Sequence, residues 1–256
     1  MKAITTLLLL LMLGNNAYSA SKHDSEWANK KSKTPPGTIM VSPNFYADRC
    51  EISNINWLEY LYWLRQNNPK KTTLYTNALP DTTVWKNEAY QNNYLRSVTY
   101  QNYPVVGVSY EQVIAYCKWR SDRVNEMLLI KDNKKADLAN SVIPQKVTYR
   151  LPTETEWMQI ATLSLNTKKG KQQLEATFNV KKEKNNDLKA TKAVQTKNKI
   201  SYHHIIGNVA EMTAQKGVAK GGSWQHTLIE SDITKVQKYE NVSAWLGFRC
   251  VCVVNE

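Results

Sequence analysis

The sequence predicts an α+β fold, a single loop-rich domain in which helices and short strands are joined by long irregular segments. Three observations carry that expectation. Two stretches combine a capping signature with an apolar helical face. A C-terminal run alternates apolar residues with the period of a strand, and the long tracts between these elements, rich in Asn, Thr and Tyr, show neither period.

Taken in order, the chain opens with Lys2, an apolar run from Leu7 to Leu13 and the small-x-small sequence Ala17-Tyr18-Ser19. This pattern predicts a secretory signal peptide over residues 1–19, cleaved before Ala20. The apolar run is well short of the roughly 20 residues a spanning helix needs, so the mature protein is expected to be exported without a transmembrane segment. No cysteine lies beside the cleavage site to carry a lipid. Residues 20–36 read as a linker stiffened by Pro35 and Pro36, and the domain is expected over 37–256.

Strands are expected over Thr38–Val41 and Phe45–Ile52. Ser53 or Asn54 then caps a helix that buries Trp57, Leu58, Leu61 and Leu64. Residues 66–103 read as long irregular loops. Ser109-Tyr110-Glu111-Gln112 is a capping box opening a helix whose apolar face holds Val113, Ile114, Cys117, Val124 and Leu128. Thr153-Glu154-Thr155-Glu156 repeats that signature ahead of Trp157 and Ile160, and a closing strand is expected over Leu246–Val254.

The formal charge of +12 raises the question of nucleic acid, but the excess is local. Residues 168–199 contain ten lysines, including Lys181 and Lys182, against Glu175, Glu183 and Asp187. The stretch lacks arginine and has one aromatic residue, Phe178, so it reads as a solvated loop rather than a nucleic-acid surface. Its alternative role is contact with an acidic partner or an anionic envelope surface. Four cysteines in an exported chain, Cys50, Cys117, Cys250 and Cys252, allow three disulfide pairings, and spacing does not choose among them. Cys250 and Cys252 alternate along a strand and so share a face.

Several blocks share one resemblance. They are Phe45-Tyr46 through Glu51-Ile52-Ser53-Asn54; Pro104-Val105-Val106-Gly107-Val108-Ser109-Tyr110 with Ala115-Tyr116-Cys117-Lys118-Trp119; and Arg150-Leu151-Pro152-Thr153-Glu154-Thr155-Glu156-Trp157. At the C-terminal end stand Gly207-Asn208-Val209-Ala210-Glu211-Met212, Lys220-Gly221-Gly222-Ser223-Trp224 and Trp245-Leu246-Gly247-Phe248-Arg249-Cys250. In this order they resemble the formylglycine-generating enzyme, or sulfatase-modifying factor, family over roughly residues 36–254. The resemblance implies that family's variant of the C-type-lectin-like architecture. It also implies a disulfide between Cys117 and Cys250, leaving Cys50 for Cys252. The extra segment between Trp119 and Arg150 is similar to the elongated helix of gliding-motility and type IX secretion proteins of Bacteroidetes.

The family's chemistry uses two cysteines after the Gly-Gly-Ser-aromatic block, and their positions here are His226 and Ser231. A thiolate pair suits copper(I), a soft ion, whereas an imidazole and a hydroxyl do not, so copper and oxidase catalysis are not expected. The resemblance implies a structural calcium at the carbonyls of Gly207 and Val209 and the carboxylate of Glu211; the alternative for Glu211 is a cap or an ion pair. The family's asparagine before that turn is His204 here, and a second calcium site, matched only by Asn179 and Val180, is expected to be lost. Two tryptophans of the family's turn are replaced by Ala210 and Met212, while Trp224, Trp245 and Phe248 remain, chiefly as core, with Arg249 paired internally. Trp224, His226, Lys181 and Lys182 form the candidate binding surface.

Three functions are therefore weighed. The leading one is an exported, non-catalytic binding or scaffold subunit of a bacterial envelope assembly, with partners among envelope proteins or an anionic envelope surface. The second is a metal-dependent oxidase using His226. The third is a carbohydrate-binding, lectin-like module acting through exposed Tyr and Trp.

Overall fold

The computed structural model describes residues 34–133, 137–138, 140–166 and 202–255, and within them helices and sheets mix as the sequence predicts. Strand β1 (Thr38–Ser42) turns into β2 (Phe45–Asp48). Helix α1 (Asn54–Asn67) follows, with Ser53 donating its hydroxyl to Asn56 Oδ1 at 2.7 Å across the first turn. Its inward residues are Trp57, Tyr60, Leu61 and Leu64, while Leu58 is only half-buried.

Residues 66–103, expected to be irregular, contain helices α2 (Thr72–Asn77) and α3 (Glu88–Asn93) and short 3-10 turns at Thr82–Val84 and Val98–Tyr100. Asp81, Asn87 and Ser97 each accept a backbone amide two residues on, so capping side chains rather than amphipathic faces define most of these pieces. Helix α4 (Tyr110–Asp132) starts at the predicted capping box, where Ser109 and Gln112 bond reciprocally. Ile114 corrects the predicted apolar face, being 41% exposed; Tyr116, Ser121 and Asn125 turn inward with Val113, Cys117 and Val124. After β3 (Val147–Arg150), helix α5 (Glu154–Leu165) opens on the second capping box, Thr153 with Glu156.

The closing segment differs from the single strand predicted. It divides between two sheets: β7 (Leu246–Gly247) joins the second sheet and β8 (Val251–Val254) the first, with Phe248–Cys250 crossing between them. The first sheet has the order β1-β2-β8-β3 and is antiparallel throughout. The second, order β6-β5-β4-β7, is built from β4 (Ala210–Met212), β5 (Val218–Lys220), β6 (Gln237–Lys238) and β7, and its β4–β7 pair is parallel.

Helix α4 seals the outer edge of β3 with polar side chains. Asn125 donates Nδ2 to Val147 O at 2.8 Å and accepts the Val147 amide at 3.0 Å. The Ser121 hydroxyl accepts the Tyr149 amide at 2.8 Å. These two helical residues do for β3 what a neighbouring strand would do.

The main core packs α1 and α4 on the first sheet, centred on Trp57, which stacks on Tyr116 at 5.3 Å and meets Phe248 edge-on at 6.1 Å. A second cluster gathers Trp157, Ile160, Ile205 and Val251, and a third is mostly aromatic, around Trp85 and Tyr94. Cys250 and Cys252 lie in the main core while Val251 enters the second, as alternation along a strand requires.

Cys117 Sγ and Cys250 Sγ lie 3.6 Å apart, side by side in the main core. Cys252 stands opposite Tyr46, whereas Cys50 lies four residues further along the chain, past the end of β2.

Candidate functional site

The Gly-Asn turn and the Gly-Gly-Ser-Trp block are laced together. Gly207 and Asn208 both adopt left-handed φ, 82° and 60°. The Gly207 amide donates to Gly221 O at 2.8 Å, and the Trp224 amide donates to Asn208 O at 2.9 Å. This lacing puts Glu211 on β4 directly across from Lys220 on β5.

Glu211 is fully buried and belongs to an ion pair. Arg249 donates Nε to Oε2 at 2.7 Å and an Nη2 hydrogen to Oε1 at 2.5 Å, and Trp157 Nε1 adds a bond to Oε2 at 2.7 Å. Arg249, itself inaccessible, also bonds Asp48 O and His203 O. A second buried carboxylate, Glu51, accepts from Asn208 Nδ2 through Oε1, and among the described residues its Oε2 has no hydrogen-bond partner. Burial pushes Glu51 and Glu211 up to about 7 against the opposing pull of Arg249. One guanidinium serves two carboxylates in a low-dielectric interior, which favours a shared proton over two full charges. Glu211 has the direct contacts to the cation, whereas Glu51 is bonded by Asn208.

Of the residues expected to hold calcium, Glu211 is committed to protein partners. Both Glu211 oxygens are engaged by Arg249 and Trp157, and the guanidinium supplies the positive charge an ion would bring. Among the described residues no group of three or more His, Cys, Asp or Glu side chains is arranged to hold a metal. Asn179 and Val180 lie outside the described residues.

The two family cysteine positions serve local structure. Ser231 is fully buried and donates its hydroxyl to Thr227 O at 2.7 Å. It also fills the space beside Gly222, where a Cβ would stand 1.9 Å from Ser231 Oγ; the left-handed φ of +63° there is a second reason for glycine. His226 is half-buried, its Nδ1 2.6 Å from Ser223 Oγ and its ring edge-on to Trp245 at 5.1 Å. Ser223 Oγ also accepts the Gln225 amide, which holds the hydroxyl in place beside the ring. Desolvation holds the imidazole below its ordinary value, with Glu230 opposing. His226 and Ser231 therefore turn to different partners.

Of the expected binding surface, Trp224 and His226 are described and Lys181 and Lys182 lie outside the described residues. Phe248 is core, as expected, whereas Trp224 and Trp245 stay half-buried at the surface. Trp224 stacks on Trp85 at 6.4 Å. Sequence reasoning placed Glu51 in a motif and Trp157 on a helix without giving either a role at the site, and passed over Trp85. Glu51 offered no signal beyond its motif, since its partners are 157 and more residues away.

No helix among the described residues is long and apolar enough to cross a membrane. No curated protein matches the chain. Among solved structures, one titled "Crystal Structure of CarF" is 17% identical over 82% of this chain and 87% of that one, with a TM-score of 0.46. The family model described as the sulfatase-modifying factor enzyme 1-like domain matches residues 5–254, and the chain belongs to that family.

Proposed function

We propose that this chain is an exported, non-catalytic member of its family that serves as a binding or scaffold subunit in a bacterial cell-envelope assembly, of the kind that drives secretion or gliding. The observation that carries the reading is the use made of the two cysteine positions. Ser231 is sealed against Gly222 with its hydroxyl given to a carbonyl, and His226 is bound to Ser223. Neither side chain presents a soft ligand or a nucleophile. The buried Glu211–Arg249 pair supports the same reading, because it commits the carboxylate of the family turn to an ion pair within the protein.

The leader at residues 1–19 supports export, and the lysine-rich stretch 168–199 and the segment from Asn125 to Val147 are the proposed partner-specific surfaces. The test has two arms. Purified protein incubated with copper and a sulfatase-type cysteine peptide is expected to yield no aldehyde, and turnover would sink the reading. Capture from an envelope extract is then repeated with residues 168–199 deleted; an unchanged set of bound proteins removes that stretch from the partner surface.

A further inference from the structure

Lys220 closes β5 and is the one fully buried lysine among the described residues, at 1% exposure. The more exposed lysines Lys118, Lys146 and Lys216 each pair with a carboxylate, whereas no described residue hydrogen-bonds or ion-pairs Lys220 Nζ. A buried ammonium whose three donors go unmet is costly, so packing alone does not account for it.

The neighbours form a fixed frame around this amine. Glu211, directly across on β4, is committed to Arg249 and Trp157. The Trp157 indole, held by its bond to Glu211, lies under the amine, with Nζ 5.8 Å from a ring centroid. Gly221, at φ +87°, lets the backbone close on the same ring, for a Cβ there would stand 2.9 Å from Trp157 Cζ2. Burial pushes the amine below its ordinary value, against the pull of Glu154 on α5 and Asp232 in the loop ahead of β6. Neither carboxylate bonds it. The sealed polar atoms without a partner include Trp119 Nε1 and Tyr239 Oη but not Lys220 Nζ, so the amine keeps a narrow opening to solvent.

From this geometry we infer that Lys220 is a covalent binding site for a small neutral aldehyde, held as an imine above the Trp157 ring. The amine nitrogen adds to the carbonyl carbon, and a C=N bond replaces C=O. The oxygen leaves as water with both amine protons, so the step consumes no oxidant or reductant. Attack needs the uncharged amine, the form that a desolvated, unpaired lysine favours. The indole gives the ligand an apolar wall, and its face suits the cation formed when the imine takes a proton. Glu154 and Asp232 disfavour a ligand that brings its own negative charge, and the narrow opening favours a small one. Covalent capture goes beyond the binding-subunit reading, and its test is separate from the assay for aldehyde formation on cysteine peptides.

The full mature chain is incubated near neutral pH with propanal or glyoxylate and cyanoborohydride, which fixes an imine as a secondary amine. Peptide mass spectrometry follows labelling lysine by lysine. With propanal, Lys220 is expected to label about tenfold faster than the exposed Lys70 and Lys238, and the lead should vanish in urea. The lead should be smaller with glyoxylate, the anionic probe. Lys220→Met, its folding confirmed by melting curves, should lose the fast site and leave labelling of Lys70 and Lys238 unchanged. Labelling of Lys220 no faster than those two in the folded chain, or a lead that survives in urea, overturns the inference. An equal lead with glyoxylate overturns the neutral ligand class.

Discussion

Replacing Arg249 with methionine removes the only guanidinium bonded to Glu211 among the described residues. The side-chain exposures of the pair are 0% and 1%, so no solvent compensates for the loss. Arg249→Met strands a carboxylate with the single indole bond from Trp157 and takes donors from two carbonyls, Asp48 O and His203 O. Breaking a buried pair from one side costs about 3–5 kcal/mol, and an unmet carbonyl adds to it. Taking about 4 kcal/mol, and about 2–4 °C per kcal/mol for a domain of this size, Tm falls by roughly 8–16 °C. Urea titration and thermal melting by circular dichroism measure the change. A loss under about 1 kcal/mol would refute the claim that this pair anchors the turn. The double variant Glu211→Leu/Arg249→Met supplies an internal check: with both charges gone, it should recover a large part of the loss. A double variant as unstable as the sum of the singles points to packing damage instead.

Stability should also fall as pH rises. The folded-state pKa of Glu51 lies above its unfolded value of 4.5, so its contribution is fully present below pH 4.5 and is lost as pH passes through about 7, an effect of about 3 kcal/mol. Urea midpoints between pH 5 and 8 read it, and Glu51→Gln should flatten the profile; an equally steep profile in the variant assigns the proton elsewhere. Gly222→Ala combines a left-handed φ with a clash against Ser231, so a loss of about 3 kcal/mol or more is expected in thermal melts, and a soluble variant of unchanged Tm would contradict the contact. Dialysis against a calcium chelator should leave Tm within about 1 °C, whereas a clear drop would restore calcium to the Gly207–Glu211 turn.

The elements legible in the sequence were those whose signals are local. Ser109 with Gln112 and Thr153 with Glu156 announce helix starts within four residues, and the structure opens α4 and α5 there. Helices α2 and α3 are six residues long, too short to display an amphipathic period, and were missed. Their nearest signals were the small capping side chains of Asn87 and, ahead of the intervening turn, Asp81. The second sheet escaped because its strands are two or three residues long and its β4–β7 pair is parallel. The site shows the same division. The unusual residues at 226 and 231 were visible by position, but Glu51, Glu211 and Arg249 meet only after folding.

The polar seal that Ser121 and Asn125 form along β3 has a practical consequence for handling the protein. Both residues stand well before the end of α4, so the first sheet stays closed whatever follows Asp132. The stretch between Asn133 and Lys146 is therefore the natural socket for an affinity tag, a fluorophore or a new pair of chain ends. Cargo placed there leaves the Ser121 and Asn125 bonds to β3 in place, but it falls within one of the two proposed partner surfaces, so bait for partner capture carries its tag elsewhere.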